Sequence, residues 1–371
     1  MKPIYLPDYE NSILNLSNSI LKSYQITPNH STIPLVDELL KQQFRNVVLI
    51  VVDGLGSKNI DRLMPATSIL HQWQVSTLSS VFPPTTVAAT TALLSAKSPI
   101  ETGWLGWCQY IKEVDKSVVF FTNQDYYDEA TIFEDHLASK YVAYETILEQ
   151  IHKAQPHVKT LDIFPAFRTP THITFQKQVE TLLTTLEEDM SHFVYVYWDQ
   201  LDSKMHEFGP GSVEVKAQAD EIEQAILYLH DHLPSDTIAL ITADHGQVEV
   251  CPIDITKYQA IMDCLRIEPS IESRATSFFV KEDRKEVFEQ TFRHYFRDYF
   301  VLYTKEDVLK MKLFGNGTPH PKFDEFLGDY LAVAIDHYYF KMNRGRMEMR
   351  GQHAGILVDE MLVPLIVLQK K

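Results

Sequence analysis

Apolar runs long enough to cross a bilayer are missing from this chain. The longest are about six residues, such as 47–52 (VVLIVV), where a spanning helix needs about 20. Cysteine is scarce as well. Cys108, Cys251 and Cys264 are an odd number with no C-x-x-C spacing, which excludes a disulfide framework and a thiolate zinc site and fits a reducing compartment. The first residues, MKPIYLPDYENSILNLSNSI, carry Asp8 and Glu10 where a secretion signal needs an apolar core. A cytoplasmic location without membrane attachment is therefore expected. Positive charge is in short supply too: 34 Lys and Arg against 50 Asp and Glu give a formal charge of −16. A field of that sign repels nucleic acid backbones and anionic lipid, so long nucleic acids are not expected partners. Neither glycine signature of phosphate binding is complete. Gly54-Leu55-Gly56 begins G-x-G-x-x-G, but Asn59 stands where the third glycine belongs, and there is no G-x-x-x-x-G-K-[ST]. Linker-like composition, internal repeats and low-complexity tracts are absent.

What the chain does have is an alternation of buried strands and amphipathic helices. Residues 47–52, 193–197 (FVYVY) and 238–242 (IALIT) are apolar at consecutive positions, the pattern of parallel strands covered on both faces. Between them, 214–233 places Ala219, Ile222, Ile226, Leu229 and Leu233 at helical spacing, and 176–190 and 141–154 read similarly. The expected fold class is α/β: a doubly wound, mostly parallel sheet flanked by helices. At 371 residues the chain exceeds what one core usually serves. Residues 256–340 differ in texture, with short strands at 277–280, 300–303 and 331–335, a charged helix at 284–297 and an Asn316-Gly317 turn. They are read as a smaller inserted α+β subdomain, leaving 1–255 and 341–371 as the catalytic core.

Each core strand runs into chemistry-bearing residues: Asp53 after the first, Asp199, Asp202 and His206 after the second, Asp244-His245 after the third. Parallel sheets bind ligands outside the carboxyl ends of their strands, so these groups should converge. Taken singly, each has a plainer explanation: an Asp after a strand as a helix cap, Asp202 and His206 as a surface pair, Asp244-His245-Gly246 as a turn. Together they form an oxygen and nitrogen donor set suited to Zn²⁺ or Mn²⁺. Thr85 and Thr86 follow Pro83-Pro84 and open a small-residue helix, VAATTALLSA. A hydroxyl there lies among free N–H groups that favour an anion, though a plain N-cap role explains either threonine.

The segments NVVLIVVDGLG (46–56), VFPPTTVAATTALLSA (81–96), ETGWLGWCQY (101–110), YVYWDQLDSKMHEFGPGS (195–212), ITADHGQ (241–247) and GQHAGILVDEMLVPLIV (351–367) together resemble the alkaline phosphatase superfamily, in particular its type I phosphodiesterase/nucleotide pyrophosphatase family. The resemblance covers nearly the whole chain in the family's order. It implies two divalent metal ions, usually zinc, one held by Asp202, His206 and His353 and the other by Asp53, Asp244 and His245. It also implies Thr86, rather than Thr85, as a nucleophile that carries a covalent phosphothreonine, and Asp202, rather than Asp199, as the ligand spaced four residues from His206. The implied reaction is hydrolysis of a phosphodiester or nucleotide pyrophosphate in a small substrate. A phosphonate hydrolase or phosphomonoesterase of the same superfamily is the alternative, and a pseudoenzyme would be expected to have lost ligands that are all present here. A sulfatase is excluded, because no C/S-x-P-x-R occurs. Trp104, Trp107 and Tyr110 are candidates to stack on a flat part of the substrate. Arg344, Arg346 and Arg350, ahead of His353, read as a solvated basic turn.

Overall fold

The computed structural model describes residues 3–342 and 348–370. Its centre is a six-stranded sheet ordered Gln74–Ser79, Leu362–Gln369, Thr237–Thr242, Asn46–Val52, Ser191–Trp198 and Val158–Ile163. The last four strands of that order are mutually parallel, and Leu362–Gln369 runs antiparallel to both its neighbours. All seven residues of Asn46–Val52 and all six of Thr237–Thr242 are buried, as continuous apolar strands require when helices cover both faces. Two helical groups supply that cover. Ile13–Ser23 packs on Thr86–Ser95, and Phe175–Leu186 packs on Val213–His232. The last of these is capped by the Ser212 side chain, which accepts from Val215 N, and buries Val215, Ala219, Ile222, Ile226 and Leu229, the one-sided stripe of a surface helix. The fold is the expected doubly wound α/β. Among the described residues no helix is long and apolar enough to cross a membrane.

The second sheet is larger than residues 256–340 allow. Its seven strands run in the order Phe300–Thr304, Tyr330–Ala334, Ala275–Val280, Leu265–Ile271, Cys108–Ile111, Lys116–Val119 and Gln124–Asp125, and every pair is antiparallel. Three of these strands come from before residue 130, so the expectation of a single inserted stretch is corrected. Ile271 pairs with Cys108 and joins the two stretches. The early strands are two to four residues long and are linked through left-handed turns at Asp115 and Asn123, too short to show a period in sequence.

The two sheets are tied together by Arg274 and Glu360, whose side chains are both fully buried. Arg274 Nε and Nη2 donate to Glu360 Oε1 and Oε2 at 2.7 and 2.8 Å, while Nη1 donates to the carbonyls of Asp336 and Tyr338 at 2.8 and 2.6 Å. Glu360 also accepts from Gly355 N and Leu357 N. Every polar atom of the pair has a partner, the condition under which a buried ion pair is tolerated.

Candidate metal centre and nucleophile

Asp53 leaves the end of Asn46–Val52 through Gly54, which has a left-handed backbone with φ +77°. A Cβ at Gly54 would sit 3.1 Å from Asp202 Cβ and 2.6 Å from the tip of Met205, both on the helix Gln200–Phe208, so at this positive φ glycine lets the strand end meet that helix. Asp202 and His206 lie one turn apart on the helix Gln200–Phe208, with His206 Nε2 3.1 Å from Asp202 Oδ2. Asp244 and His245 follow Thr237–Thr242, and His245 Nε2 is 3.3 Å from Asp53 Oδ1 and 3.5 Å from Asp244 Oδ2. His353 follows the short strand Gly351–Gln352, which pairs with Val248–Glu249, and its Nε2 is 3.9 Å from Asp202 Oδ1.

Asp202, His206 and His353 form one group, and Asp53, Asp244 and His245 a second. Within each, one donor atom per residue lies within 4.8 Å of the others. The groups adjoin, since the rings of His245 and His353 stack with centroids 3.8 Å apart. All three imidazoles place Nδ1 against a backbone carbonyl: His206 at Gly351 O (2.8 Å), His353 at Pro84 O (3.1 Å) and His245 at Gly246 O (3.2 Å). A carbonyl only accepts, so Nδ1 carries the proton and Nε2 is left with a lone pair for an ion.

The carboxylates are prepared in the same way. Tyr197 donates its hydroxyl to Asp53 Oδ2, Gln247 donates to Asp202 Oδ1, and Gly54 N and His245 N donate to Asp244 Oδ1 at 3.2 and 2.9 Å. Asp53 Oδ1 and Asp244 Oδ2 are buried with no hydrogen-bond partner. Burial, together with the charges of Asp244 and Asp202, pushes the Asp53 carboxyl well above the usual carboxylate range. Burial and Asp202 raise Asp244 likewise. Burial and the neighbouring His245 hold His353 well below an ordinary histidine. Orphaned anionic oxygens beside lone-pair nitrogens fit divalent cations, which would satisfy the oxygens and relieve the crowding of like charge. Tyr197→Phe removes only the hydroxyl that orients Asp53. It is expected to weaken divalent-ion binding by about 10- to 100-fold, read by calorimetric titration, with the far-ultraviolet circular dichroism unchanged.

Thr86 opens the helix Thr86–Ser95 and points its hydroxyl into the second group, 3.2 Å from His245 Nε2 and 3.4 Å from Asp53 Oδ2. Thr85 is the N-cap, yet its side chain does not cap the helix. Its hydroxyl donates instead to Glu272 Oε1 at 2.6 Å. The first N–H groups of the helix therefore lack the side-chain partner that a capping threonine supplies. Asp199, the rival ligand, is the N-cap of Gln200–Phe208 and belongs to neither donor group.

A cavity of about 270 Å³ extends from Thr86 beneath the second sheet and is bordered by Asp202, His206, Trp107 and Glu272. Of the three aromatic candidates only Trp107 lines it. Trp104 is buried, donates Nε1 to Val142 O at 2.7 Å and packs edge-on against Phe120 and Tyr144. Tyr110 bonds Asp115 and leans on Phe279. Both are corrected from substrate contacts to structural side chains, because a local aromatic cluster gives no direction to its rings. Arg344 and Arg346 lie outside the described residues, and Arg350 is exposed. Sequence reasoning missed Tyr197, Gln247 and Glu272. Tyr197 is hidden in an apolar strand, and Glu272 comes from the other sheet. Burial pushes the Glu272 carboxyl up to about 7, against the hydrogen bonds from Thr85 and the Trp107 backbone.

A mostly parallel α/β sheet whose strand ends gather two carboxylate–histidine groups around a helix-terminal threonine defines the alkaline phosphatase-like class. The chain belongs to the type I phosphodiesterase/nucleotide pyrophosphatase family, whose model matches residues 47–355. Mouse ectonucleotide pyrophosphatase/phosphodiesterase family member 7 is 37% identical over 70 residues, which is 18% of this chain and 16% of that relative's length. The solved structure of murine ectonucleotide pyrophosphatase/phosphodiesterase 5 superimposes with a TM-score of 0.65 at 15% identity, covering 87% of this chain and 88% of that one. The same murine protein has been solved as an inactive threonine-to-alanine variant in complex with AMP. Phosphonoacetate hydrolase from Sinorhizobium meliloti 1021, in complex with phosphonoformate, gives a TM-score of 0.61 at 15% identity, covering 88% and 91% of the two chains.

Proposed function

We propose that this chain is a metal-dependent phosphodiesterase that works through a covalent phosphothreonine at Thr86. The observation that carries the reading is the Thr86 hydroxyl, which lies at the uncapped start of its helix and within 3.4 Å of His245 and Asp53. Two divalent ions, read as zinc from the resemblance with manganese also suited, would be held by Asp202, His206 and His353 and by Asp53, Asp244 and His245, and would supply Lewis-acid stabilisation and lower the pKa of a bound hydroxyl. The chain's own part is placement. Pro84 O is engaged by His353, which fixes the turn just ahead of Thr86, and the free N–H groups of the first helical turn favour the non-bridging phosphoryl oxygens. In the first half-reaction the Thr86 Oγ–P bond forms as the bond from phosphorus to the leaving oxygen breaks. In the second, a water oxygen replaces Thr86 and the hydroxyl is restored.

Charge favours a diester. Two divalent cations are cancelled by three ligand carboxylates and the Thr86 alkoxide, and a near-neutral site suits a monoanionic phosphodiester better than a dianionic monoester. A small ester, nucleotide esters included, is the substrate class. A cytoplasmic location goes with this reading, because three cysteines without C-x-x-C spacing fit a reducing compartment. The test compares metal-loaded protein on an aryl phosphodiester, the matching monoester and a phosphonate. The diester is expected to lead the monoester in kcat/KM by about tenfold or more, and a monoester preference contradicts the reading.

A further inference from the structure

Glu272 opens the turn between Leu265–Ile271 and Ala275–Val280 and is only 6% exposed, yet it borders the cavity beside Thr86. Its Oε1 accepts both of its hydrogen bonds, from Thr85 Oγ at 2.6 Å and from Trp107 N at 2.7 Å. Oε2 is left for the cavity. Among the described residues no Lys, Arg or His nitrogen pairs with this carboxylate. The cavity's one described Lys or Arg is Lys341, and its Nζ faces Glu348 Oε1 at 3.5 Å. Much of the remaining wall is apolar, formed by Trp107, Tyr126, Ile271, Phe340 and Met342. Buried carboxylates are almost always paired. One that borders a substrate cavity with hydrogen bonds on one oxygen only, and with no ion pair beyond the through-space charge of His206, meets whatever the substrate brings there.

Resting on the phosphodiesterase reading, we infer that Glu272 selects the substrate by charge: the substituent that enters this cavity is neutral or cationic, and one carrying a second negative charge is rejected. Inside a largely apolar cavity a like charge is repelled far more strongly than in water, and an ammonium group supplies the ion pair that Glu272 lacks among the described residues. The selection favours simple diesters over pyrophosphates, whose second phosphate brings a further negative charge.

Three p-nitrophenyl alkyl phosphates of matched chain length, ending in a methyl, a carboxylate or an ammonium group, test this with the metal-loaded full chain. The assay runs near pH 9, above the value of about 7 to which burial raises Glu272, so the carboxylate is ionised. The carboxylate ester should have at most about one-tenth the kcat/KM of the methyl ester, and the ammonium ester should equal or exceed it. Glutamine keeps an Oε1 for both hydrogen bonds, so Glu272→Gln removes the charge alone. It should raise the carboxylate-to-methyl ratio to about one-third or more. A wild-type ratio near one, or a low ratio that Glu272→Gln leaves unmoved, overturns the inference. The wild-type ratio needs no variant, so the inference stays refutable if Glu272→Gln is unstable. Methyl ester left intact overturns the phosphodiesterase reading itself, whereas methyl ester cleaved without charge discrimination overturns only the role of Glu272.

Discussion

Thr86→Ala will lower kcat on an aryl phosphodiester by about four orders of magnitude or more, roughly 5–6 kcal/mol of transition-state stabilisation, while the protein keeps its fold and its two metal equivalents. The separation follows from position. Thr86 Oγ lies beside the second donor group, but neither group depends on it for a ligand. Its helix is held by buried Val87, Ala88, Ala89 and Leu93, none of which the substitution touches. Alanine also suits the first turn of a helix. Thr85→Ala, by contrast, deletes the bond to Glu272 and leaves the proposed nucleophile in place. Retained activity in Thr86→Ala, together with lost activity in Thr85→Ala, would transfer the chemistry to the other hydroxyl.

Arg274→Ala will destabilise the protein by about 3–5 kcal/mol, read as a fall in the urea midpoint, because it strands Glu360 as an uncompensated buried charge. It also frees the carbonyls of Asp336 and Tyr338, which share one guanidinium nitrogen. The damage should reach the site. Glu360 holds Gly355 N and Leu357 N, which lie two and four residues after His353 in the chain. The double variant Arg274→Met with Glu360→Met removes both charges and should recover most of the loss, since a buried pair replaced by apolar groups of similar size is often close to neutral. A single variant that costs under about 1 kcal/mol would mean the pair does not tie the sheets together.

Five of the six candidate donor residues were legible in the sequence because the strands that present them are, while His353, which follows the two-residue strand Gly351–Gln352, was reached only through the family resemblance. Asn46–Val52, Ser191–Trp198 and Thr237–Thr242 are apolar on both faces, and the topology of a parallel sheet sends their carboxyl ends to one crevice. The partners that prepare those donors were not legible. Tyr197 reads as one more apolar position of a buried strand, and only the register of that strand against Asn46–Val52 brings its hydroxyl to Asp53. Arg274 and Glu360 are 86 residues apart, as the sequence separation of their hydrogen bonds records, and no periodicity connects them. The early half of the second sheet escaped notice because strands of two to four residues carry almost no alternation. Trp104 and Trp107 are three residues apart, yet one is spent on Val142 O and the other lines the cavity, a difference that direction alone decides.

The central claim is that phosphorus passes through Thr86 on its way to water, and the stereochemical course at phosphorus tests it most directly. A diester made chiral with sulfur and oxygen isotopes is hydrolysed by the metal-loaded protein, and the configuration of the product is read by phosphorus magnetic resonance. Two successive in-line displacements, first by Thr86 and then by water, each invert the centre, so the account predicts net retention. Net inversion would mean that water attacks the substrate directly and would contradict the covalent phosphothreonine.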